Sequence, residues 1–155
     1  MPSVREVQVG SELPSLARVV TAEDVKAYAE AGGDGNPLHQ DDAVARAAGF
    51  PGIVAHGMFT MGHLAACVAG WAGGPERVRR LTSHFRAPVF MGEEIVARGR
   101  VKSVDADRRI EVGRPSSSIV SARPKAGATA PSPAAMVGSS TPSDAVTVLW
   151  CAPPS

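Results

Sequence analysis

Apolar positions recur with a helical period near the start of the chain. Thr21 is a residue type that caps helix N-termini, and the two acids that follow favour the positive end of the helix dipole. A glycine pair then stops the pattern. We predict a helix over residues 22–31. The residues on its apolar face are Val25, Tyr28 and Ala29.

A second helix start follows within a few residues. Asn36 is a capping type and Pro37 suits the first helical position. The next residues, "LHQDDAVARAAG", continue a helical pattern as far as Gly49. The pattern therefore predicts one helix that begins at Pro37, with His39 in its first turn.

A third helix, over residues 58–71, is almost wholly apolar. We therefore expect other elements to enclose it. The residues predicted to line one side are Met58, Met61, Leu64 or Ala65, Val68 and Trp71. A row of small residues at a spacing of four would let another backbone approach closely: Gly62, Ala66 and Gly70.

Two strand-like segments come next, "RVRRLTSHFRAPVF" and "EEIVARGRVKSVD", with a turn at Met91 and Gly92 between them. In the second segment a row of apolar or small residues alternates with a mainly charged row, which is typical of a sheet with one wet face. The first row is Ile95, Ala97, Gly99, Val101 and Ser103, and the second is Val96, Arg98, Arg100 and Lys102. Long antiparallel strands after a buried helix indicate an α+β fold.

The composition changes in residues 115–155. This stretch holds seven of the 13 prolines, one acid and one aromatic residue, and it is rich in Ser and Ala. Such a composition is typical of a disordered or loosely packed tail.

Length and charge exclude several classes of protein. With 155 residues and a net charge of +1, the chain fits one globular domain and offers no basic surface for nucleic acid. No stretch approaches the roughly 18–20 apolar residues of a membrane span, so the expected location is the cytoplasm. Cys67 and Cys151 are expected to be reduced thiols, with Cys67 buried.

The stretch "GGDGNPLHQDD" contains the first candidate chemistry. Asp34 and His39 flank a helix start, where they could converge on one water molecule. The helix dipole disfavours imidazolium there, which suits general acid–base work. The alternative is structural, with Asp34 a turn residue and His39 an ordinary first-turn residue.

The second candidate is the glycine in "IVAHGMFTMG", which opens the apolar helix. A free peptide NH at Gly57 could donate to an oxygen that becomes negative during a reaction, such as a thioester carbonyl. Alternatively, Gly57 only permits close packing or caps the helix.

The stretch "GGDGNPLHQDDAVARAAGFPGIVAHGMFTMG" resembles the hydratase motif of the MaoC-like family of (R)-specific enoyl-thioester hydratases and dehydratases. "HFRAPVFMGEEIVARGRVKSVD" is similar to the family's next two strands. The resemblance as a whole spans roughly residues 4–108. Within the family, the chain most resembles the catalytic subunit of actinobacterial (3R)-hydroxyacyl-acyl-carrier-protein dehydratases, which pair with a non-catalytic subunit.

The resemblance implies a hot-dog fold, in which an antiparallel sheet wraps a long central helix, and a homomeric or heteromeric dimer. It implies that Asp34 and His39 activate the water that adds to the enoyl thioester, and that Gly57 supplies the oxyanion-hole NH. Three further roles are implied: Asn36 orients the loop, His56 positions the helix start, and Met58 lines the acyl pocket. No metal or redox cofactor is implied, and CoA or acyl carrier protein is only the handle of the substrate.

The chain departs from the family pattern near Asp107. We therefore divide it into a hot-dog domain at residues 1–110 and an atypical tail at 111–155, with the C-terminal strands missing or altered. This expectation rests on four prolines, because proline cannot donate a hydrogen bond within a central strand. They are Pro115, Pro124, Pro131 and Pro133. The tail is either a natural divergence, disordered or repacked, or the product of a reading-frame change near residues 108–113, which we favour on composition.

Three functions follow from these observations. The first is hydration of trans-2-enoyl thioesters and the reverse dehydration of (3R)-hydroxyacyl thioesters. The second is a non-catalytic or defective hot-dog subunit that needs a partner. The third is acyl-thioester hydrolysis, which the hydratase-type motif makes the weakest of the three.

Overall fold

A computed structural model describes residues 7–85, 87–106, 109–113, 120–123 and 148–151 of the chain. Within these ranges there are three α-helices and seven strands, and the three helices all lie between the first and second strands. The helices are α1 (Ala22–Gly32), α2 (Asp42–Ala47) and α3 (Gly57–Ala72). The strands are β1 (Leu16–Val19), β2 (Val78–Arg80), β3 (Glu94–Ala97), β4 (Arg100–Val104), β5 (Arg109–Gly113), β6 (Val120–Arg123) and β7 (Val148–Cys151).

The strands form two antiparallel sheets. One has the order β1-β3-β6 and the other the order β2-β7-β5-β4. Helix α3 packs against both sheets through a buried cluster that joins Leu64 and Val68 of the helix to Ala97, Val101 and other strand residues. The predicted α+β architecture is confirmed, with a helix packed on antiparallel sheets.

Helix α1 begins at the predicted residue, Ala22, and ends at Gly32, one residue later than predicted. The Thr21 side chain accepts a hydrogen bond from the backbone NH of Asp24, and the Asp24 carboxylate accepts one from the NH of Thr21, each at 3.1 Å. The Arg18 guanidinium pairs with Asp24 and holds the pKa of that carboxyl below its usual value. Gly33 closes the helix in the left-handed region, at φ 66°.

The second predicted helix is wrong as a single element. A 3-10 turn covers Pro37–His39, and α2 begins only at Asp42. The break comes from Asp41, whose carboxylate accepts hydrogen bonds from two backbone NH groups of the next turn and so caps a new helix. Asn36 and Pro37 do start the 3-10 turn as predicted.

The predicted core face of α3 is only partly right. Leu64, Cys67 and Val68 are buried, but Met58 is 54% exposed. The buried side of the helix also includes Thr60 and His63, because the sheets contact α3 on the side of these polar residues. The small-residue row Gly62, Ala66 and Gly70 is exposed, so the described elements cover only one side of this helix.

The two strand predictions need correction. Of the described residues between 77 and 90, only Val78–Arg80 form a strand, and Phe90 makes an isolated bridge to Val54. Residues 93–105 divide at Gly99 into β3 and β4, which belong to different sheets. A Cβ on Gly99 would lie 2.7 Å from Val112 Cγ1, so close packing requires glycine at this crossing. The turn at Met91 and Gly92 is confirmed, with Gly92 at φ 85°.

The predicted alternation also fails within β3. Ile95 and Ala97 share one face of the strand and pack in clusters with Val25 of α1 and with α3, respectively. Val96 points to the opposite face and is also buried. This strand therefore has two covered faces instead of one wet face.

Three strands lie at or beyond the predicted boundary at residue 110. Strand β5 spans that boundary, β6 pairs with β3, and β7 pairs with β2 and β5. The C-terminal strands are therefore present, and they are short, with four or five residues each. The four prolines from which the atypical tail was predicted lie outside the described residues. The reading-frame change stays a prediction.

Two smaller findings concern Cys67 and the helices as a group. Cys67 is a free, buried thiol as predicted, and burial raises its pKa. Among the helices of the described ranges, none has both the length and the hydropathy needed to cross a lipid bilayer.

Candidate active site

The loop after α1 is held by its own side chains. Asp34 Oδ1 accepts a hydrogen bond from the NH of Asn36 at 3.1 Å, and Asn36 Oδ1 accepts one from the NH of Leu38 at 3.0 Å. Gln40 donates to the Asp34 carbonyl at 3.3 Å. These short-range bonds fix the loop between Asp34 and the 3-10 turn.

His39 is oriented by a backbone carbonyl from a distant part of the chain. Its Nδ1 lies 2.6 Å from the Val54 oxygen. A carbonyl oxygen can only accept, so Nδ1 must carry the proton of this hydrogen bond. The neutral ring then has an unprotonated Nε2 that can accept a proton.

His56 immediately precedes α3 and is 2% exposed. Its ring lies between those of Tyr28 and His39, with ring centroids 5.1 and 3.9 Å away. Burial, and next the nearby His39, lower the pKa of His56, while Asp34 acts in the opposite direction. The ring is therefore neutral at neutral pH. The His56 side chain makes no capping hydrogen bond to α3. The prediction that His56 positions the helix start is therefore not supported by a hydrogen bond.

Asp34, His39 and His56 form one polar cluster. A ligand-type atom of each lies within 4.8 Å of those of the other two. The Asp34 Oδ2 to His56 Nε2 distance is 3.7 Å. The Asp34 side chain is 47% exposed, so water can reach its carboxylate.

These three side chains are also of the types that bind divalent transition metals. The His39 and His56 rings are tilted by 34° relative to each other, with their centroids 3.9 Å apart. The predicted absence of a metal stays a prediction.

A cavity of about 350 Å³ lies beside the cluster. His39 and Gly57 both line it, so the structure brings these two predicted residues to one space. Asp34 is adjacent through His39 and His56. The exposed Met58 is not among the lining residues, so the structure offers no support for its predicted place in an acyl pocket. The other lining residues are Val54, Ala55, Thr60, Phe85, Ala87, Pro88 and Val89.

Two of these lining residues surround Gly57 and were missed from the sequence. The Thr60 hydroxyl donates to the Gly57 carbonyl at 2.6 Å. The Phe85 ring lies 3.6 Å from the position that a Cβ on Gly57 would occupy. Phe85 belongs to the "HFRAPVF" segment that resembles the family pattern, which is the one clue that the sequence held.

Gly57 occupies the first position of α3, where backbone NH groups have no intrahelical acceptor. In the described part of the chain, no backbone hydrogen bond uses the Gly57 NH. This donor and the other NH groups of the first turn give the end of α3 a partial positive charge beside the cavity.

The chain is similar to known proteins of one family. The family model described as MaoC like domain matches residues 7–121. The chain is 42% identical over 79 residues to a mitochondrial 3-hydroxyacyl-acyl-carrier-protein dehydratase of Arabidopsis thaliana, covering 51% of this chain and 47% of that relative. It is 29% identical over 109 residues to the (R)-specific enoyl-CoA hydratase of Aeromonas caviae, covering 70% of this chain and 81% of the relative.

The fold comparison agrees with the sequence comparison. A solved MaoC-like dehydratase superposes with a TM-score of 0.69 and 30% identity, over 96% of this chain and 40% of its own length. The predicted hot-dog fold is confirmed. The chain spans about half the length of the Arabidopsis relative.

Proposed function

This chain belongs to the MaoC-like domain family, and from that premise we propose that it hydrates trans-2-enoyl thioesters and, in reverse, dehydrates (3R)-hydroxyacyl thioesters. The observation that carries the proposal is the cavity lined by both His39 and Gly57, with Asp34 in the same polar cluster. Acid–base groups and an oxyanion donor around one apolar-walled space are what addition of water to a conjugated thioester requires.

The proton chemistry is assigned to Asp34 and His39 together. A water molecule between them loses a proton as its oxygen bonds to C3 of the enoyl group. The C2–C3 π electrons move toward the thioester carbonyl, and the resulting enolate takes a proton at C2. His39 suits this work because the Val54 carbonyl holds its Nδ1 proton and leaves Nε2 as the basic atom.

Stabilisation of the enolate oxygen is assigned to Gly57. Its NH lies at the positive end of α3, and the cavity walls beside it are mainly apolar, which strengthens a hydrogen bond to a developing charge. Thr60 supports this peptide from the next turn by donating to the Gly57 carbonyl.

The other predicted residues take supporting roles. Asn36 orients the loop through its hydrogen bonds to Leu38 and Asp34. His56 packs against His39 at the back of the site. We assign no acyl contact to Met58, because it is exposed and does not line the cavity.

Two further proposals concern the substrate's carrier and the protein's partner. We propose that the acyl group arrives as a thioester of CoA or acyl carrier protein, as in the actinobacterial dehydratases that the sequence resembles. A second hot-dog subunit, either another copy or a related chain, is the proposed partner. The cytoplasm remains the predicted location.

The test is to incubate the purified protein with an enoyl thioester and to measure the loss of the substrate's conjugated absorbance. We expect turnover by the wild type and a drop of roughly 10²- to 10⁴-fold for Asp34→Asn, the range that general acid–base catalysis contributes. Asp42→Asn is the matched control, because Asp42 is an exposed aspartate that pairs with Arg46 in α2.

Each other outcome favours a different function. Thiol release without hydration would point to an acyl thioesterase. Absence of turnover in the wild type, alone and with candidate partner subunits, would favour a non-catalytic or defective hot-dog subunit. Equal activity of the wild type and Asp34→Asn would remove Asp34 from the mechanism.

A further inference from the structure

The two ring nitrogens of His56 have no hydrogen-bond partner among the described residues. The ring is 2% exposed, so bulk water does not reach them. Burying an unpaired polar atom carries a free-energy penalty, and proteins rarely accept it without a reason. An unsatisfied histidine beside the candidate catalytic groups therefore calls for a functional explanation.

The acceptors close to the His56 ring both belong to Asp34, namely its backbone carbonyl and its carboxylate. Tyr28 of α1 and His39 of the 3-10 turn contact the ring through their own rings. The charged group that faces it is the Asp34 carboxylate, with Oδ2 3.7 Å from Nε2. A shift of roughly 0.7 Å would bring this pair to a usual hydrogen-bond length of about 3.0 Å.

Asp34 has room for this shift, because its side chain is half exposed on a loop. Among the described residues, the hydrogen bond to its carboxylate comes from the NH of Asn36, so a second donor would fix its position. His39 is not assigned as that donor, because its Nδ1 bonds the Val54 carbonyl and its Nε2 is the atom that the proposed function gives to the reacting water. His56 is rigid by contrast, because it is buried at the start of α3.

We infer that His56 is a positioning residue that donates a hydrogen bond from Nε2 to the Asp34 carboxylate and so holds that carboxylate beside His39. This inference rests on the proposed function for its catalytic consequence. The lowered pKa of His56, caused first by burial, keeps the ring uncharged. An uncharged donor orients the carboxylate without the full positive charge that would weaken it as a base.

Three substitutions separate the hydrogen bond from simple space filling. The amide nitrogen of Gln reaches about as far as Nε2, whereas that of Asn reaches about as far as Nδ1. We expect His56→Gln to keep kcat within about tenfold of the wild type. His56→Asn and His56→Phe should lose about a hundredfold in kcat with little change in KM, because a misplacement near 1 Å costs that much.

His63→Asn is the control, because His63 is a second buried histidine of α3 that hydrogen-bonds the Leu16 carbonyl at 2.9 Å and lies outside the site. It should fold, as judged by circular dichroism, and keep wild-type kcat. Wild-type kcat in His56→Phe, or equal losses in folded His56→Gln and His56→Asn, would overturn the inference.

A second measurement does not depend on turnover. In ¹⁵N-labelled protein at neutral pH, the His56 imidazole should be protonated at Nε2, and the signal of that proton should move when Asp34 is replaced by Asn. Asp42→Asn should leave it unchanged. Protonation at Nδ1, or a proton signal that does not move in Asp34→Asn, would overturn the inference even in an active enzyme. A signal that responds in a protein without hydratase activity supports the hydrogen bond and overturns only the proposed function.

Discussion

At the scale of single residues, the candidate site combines short-range and long-range contacts. Asp34, Asn36 and His39 are close in sequence, and their loop is held by side chains within it, so a motif could predict their convergence. His56 and Phe85 reach the site only through tertiary packing. No local pattern encodes those distances, which explains why the unpaired nitrogens of His56 and the walls around Gly57 were not predictable.

Gly57→Ala tests whether the space at the α3 start is used by a substrate. The added methyl would meet the Phe85 ring at an ordinary contact distance of 3.6 Å, so the protein should fold normally. The methyl would intrude on the cavity that Gly57 lines. We expect hydratase kcat/KM to fall roughly 10- to 100-fold, less than when an oxyanion donor is removed, because the NH remains.

The matched control is Gly62→Ala in the same helix. No described atom lies within 4 Å of a Cβ built at Gly62, and the residue is exposed. We expect unchanged activity and a free energy of unfolding higher by about 0.5–1 kcal/mol, because alanine favours helices over glycine. Equal kinetics for the two variants would contradict the assigned role of Gly57.

At the scale of elements, helix ends were more predictable than strands. The capping box at Thr21 and the left-handed Gly33 place both ends of α1 by local chemistry. The break before α2 also has a local cause in Asp41, but it competes with an otherwise continuous helical pattern. Strands β3 and β4 look like one strand because their division at Gly99 depends on packing against Val112 and Leu13, which the sequence does not display.

Thr21→Ala tests the contribution of the α1 cap. It removes the hydroxyl that accepts from the Asp24 NH. We expect the free energy of unfolding to fall by about 1 kcal/mol in urea titrations. Thr21→Ser, which keeps the hydroxyl, should lose much less, and equal losses in both variants would show that the cap is not the cause.

At the scale of the whole molecule, helix α3 packs against two antiparallel sheets, and its first residue, Gly57, lines the same cavity as His39 of the candidate site. The hot-dog fold and the family were both predictable, because the motif and the following strands resemble the family closely. The C-terminal strands were not, since their pairing with β2, β3 and β5 is a long-range event. The small-residue row of α3, Gly62, Ala66 and Gly70, is left exposed by the described elements.

The stability of the molecule should depend on pH through His56. Its pKa is lowered from the usual 6.5 in the folded protein, so the unfolded chain binds a proton just below that value when the folded protein does not. The free energy of unfolding should therefore fall as the pH drops below about 6.5. Urea titrations across this range should show a shallower fall in His56→Gln, and parallel curves would contradict the assignment.

The central claim is that this chain adds water across an enoyl thioester with Asp34 as a catalytic residue, and isotope transfer tests it most directly. The purified protein is incubated with a trans-2-enoyl thioester in oxygen-18-labelled water, and the product is analysed by mass spectrometry. We predict an intact 3-hydroxyacyl thioester with the label at C3, formed orders of magnitude more slowly by Asp34→Asn. A labelled free acid with released thiol, or equal labelling rates in the two proteins, would contradict the account.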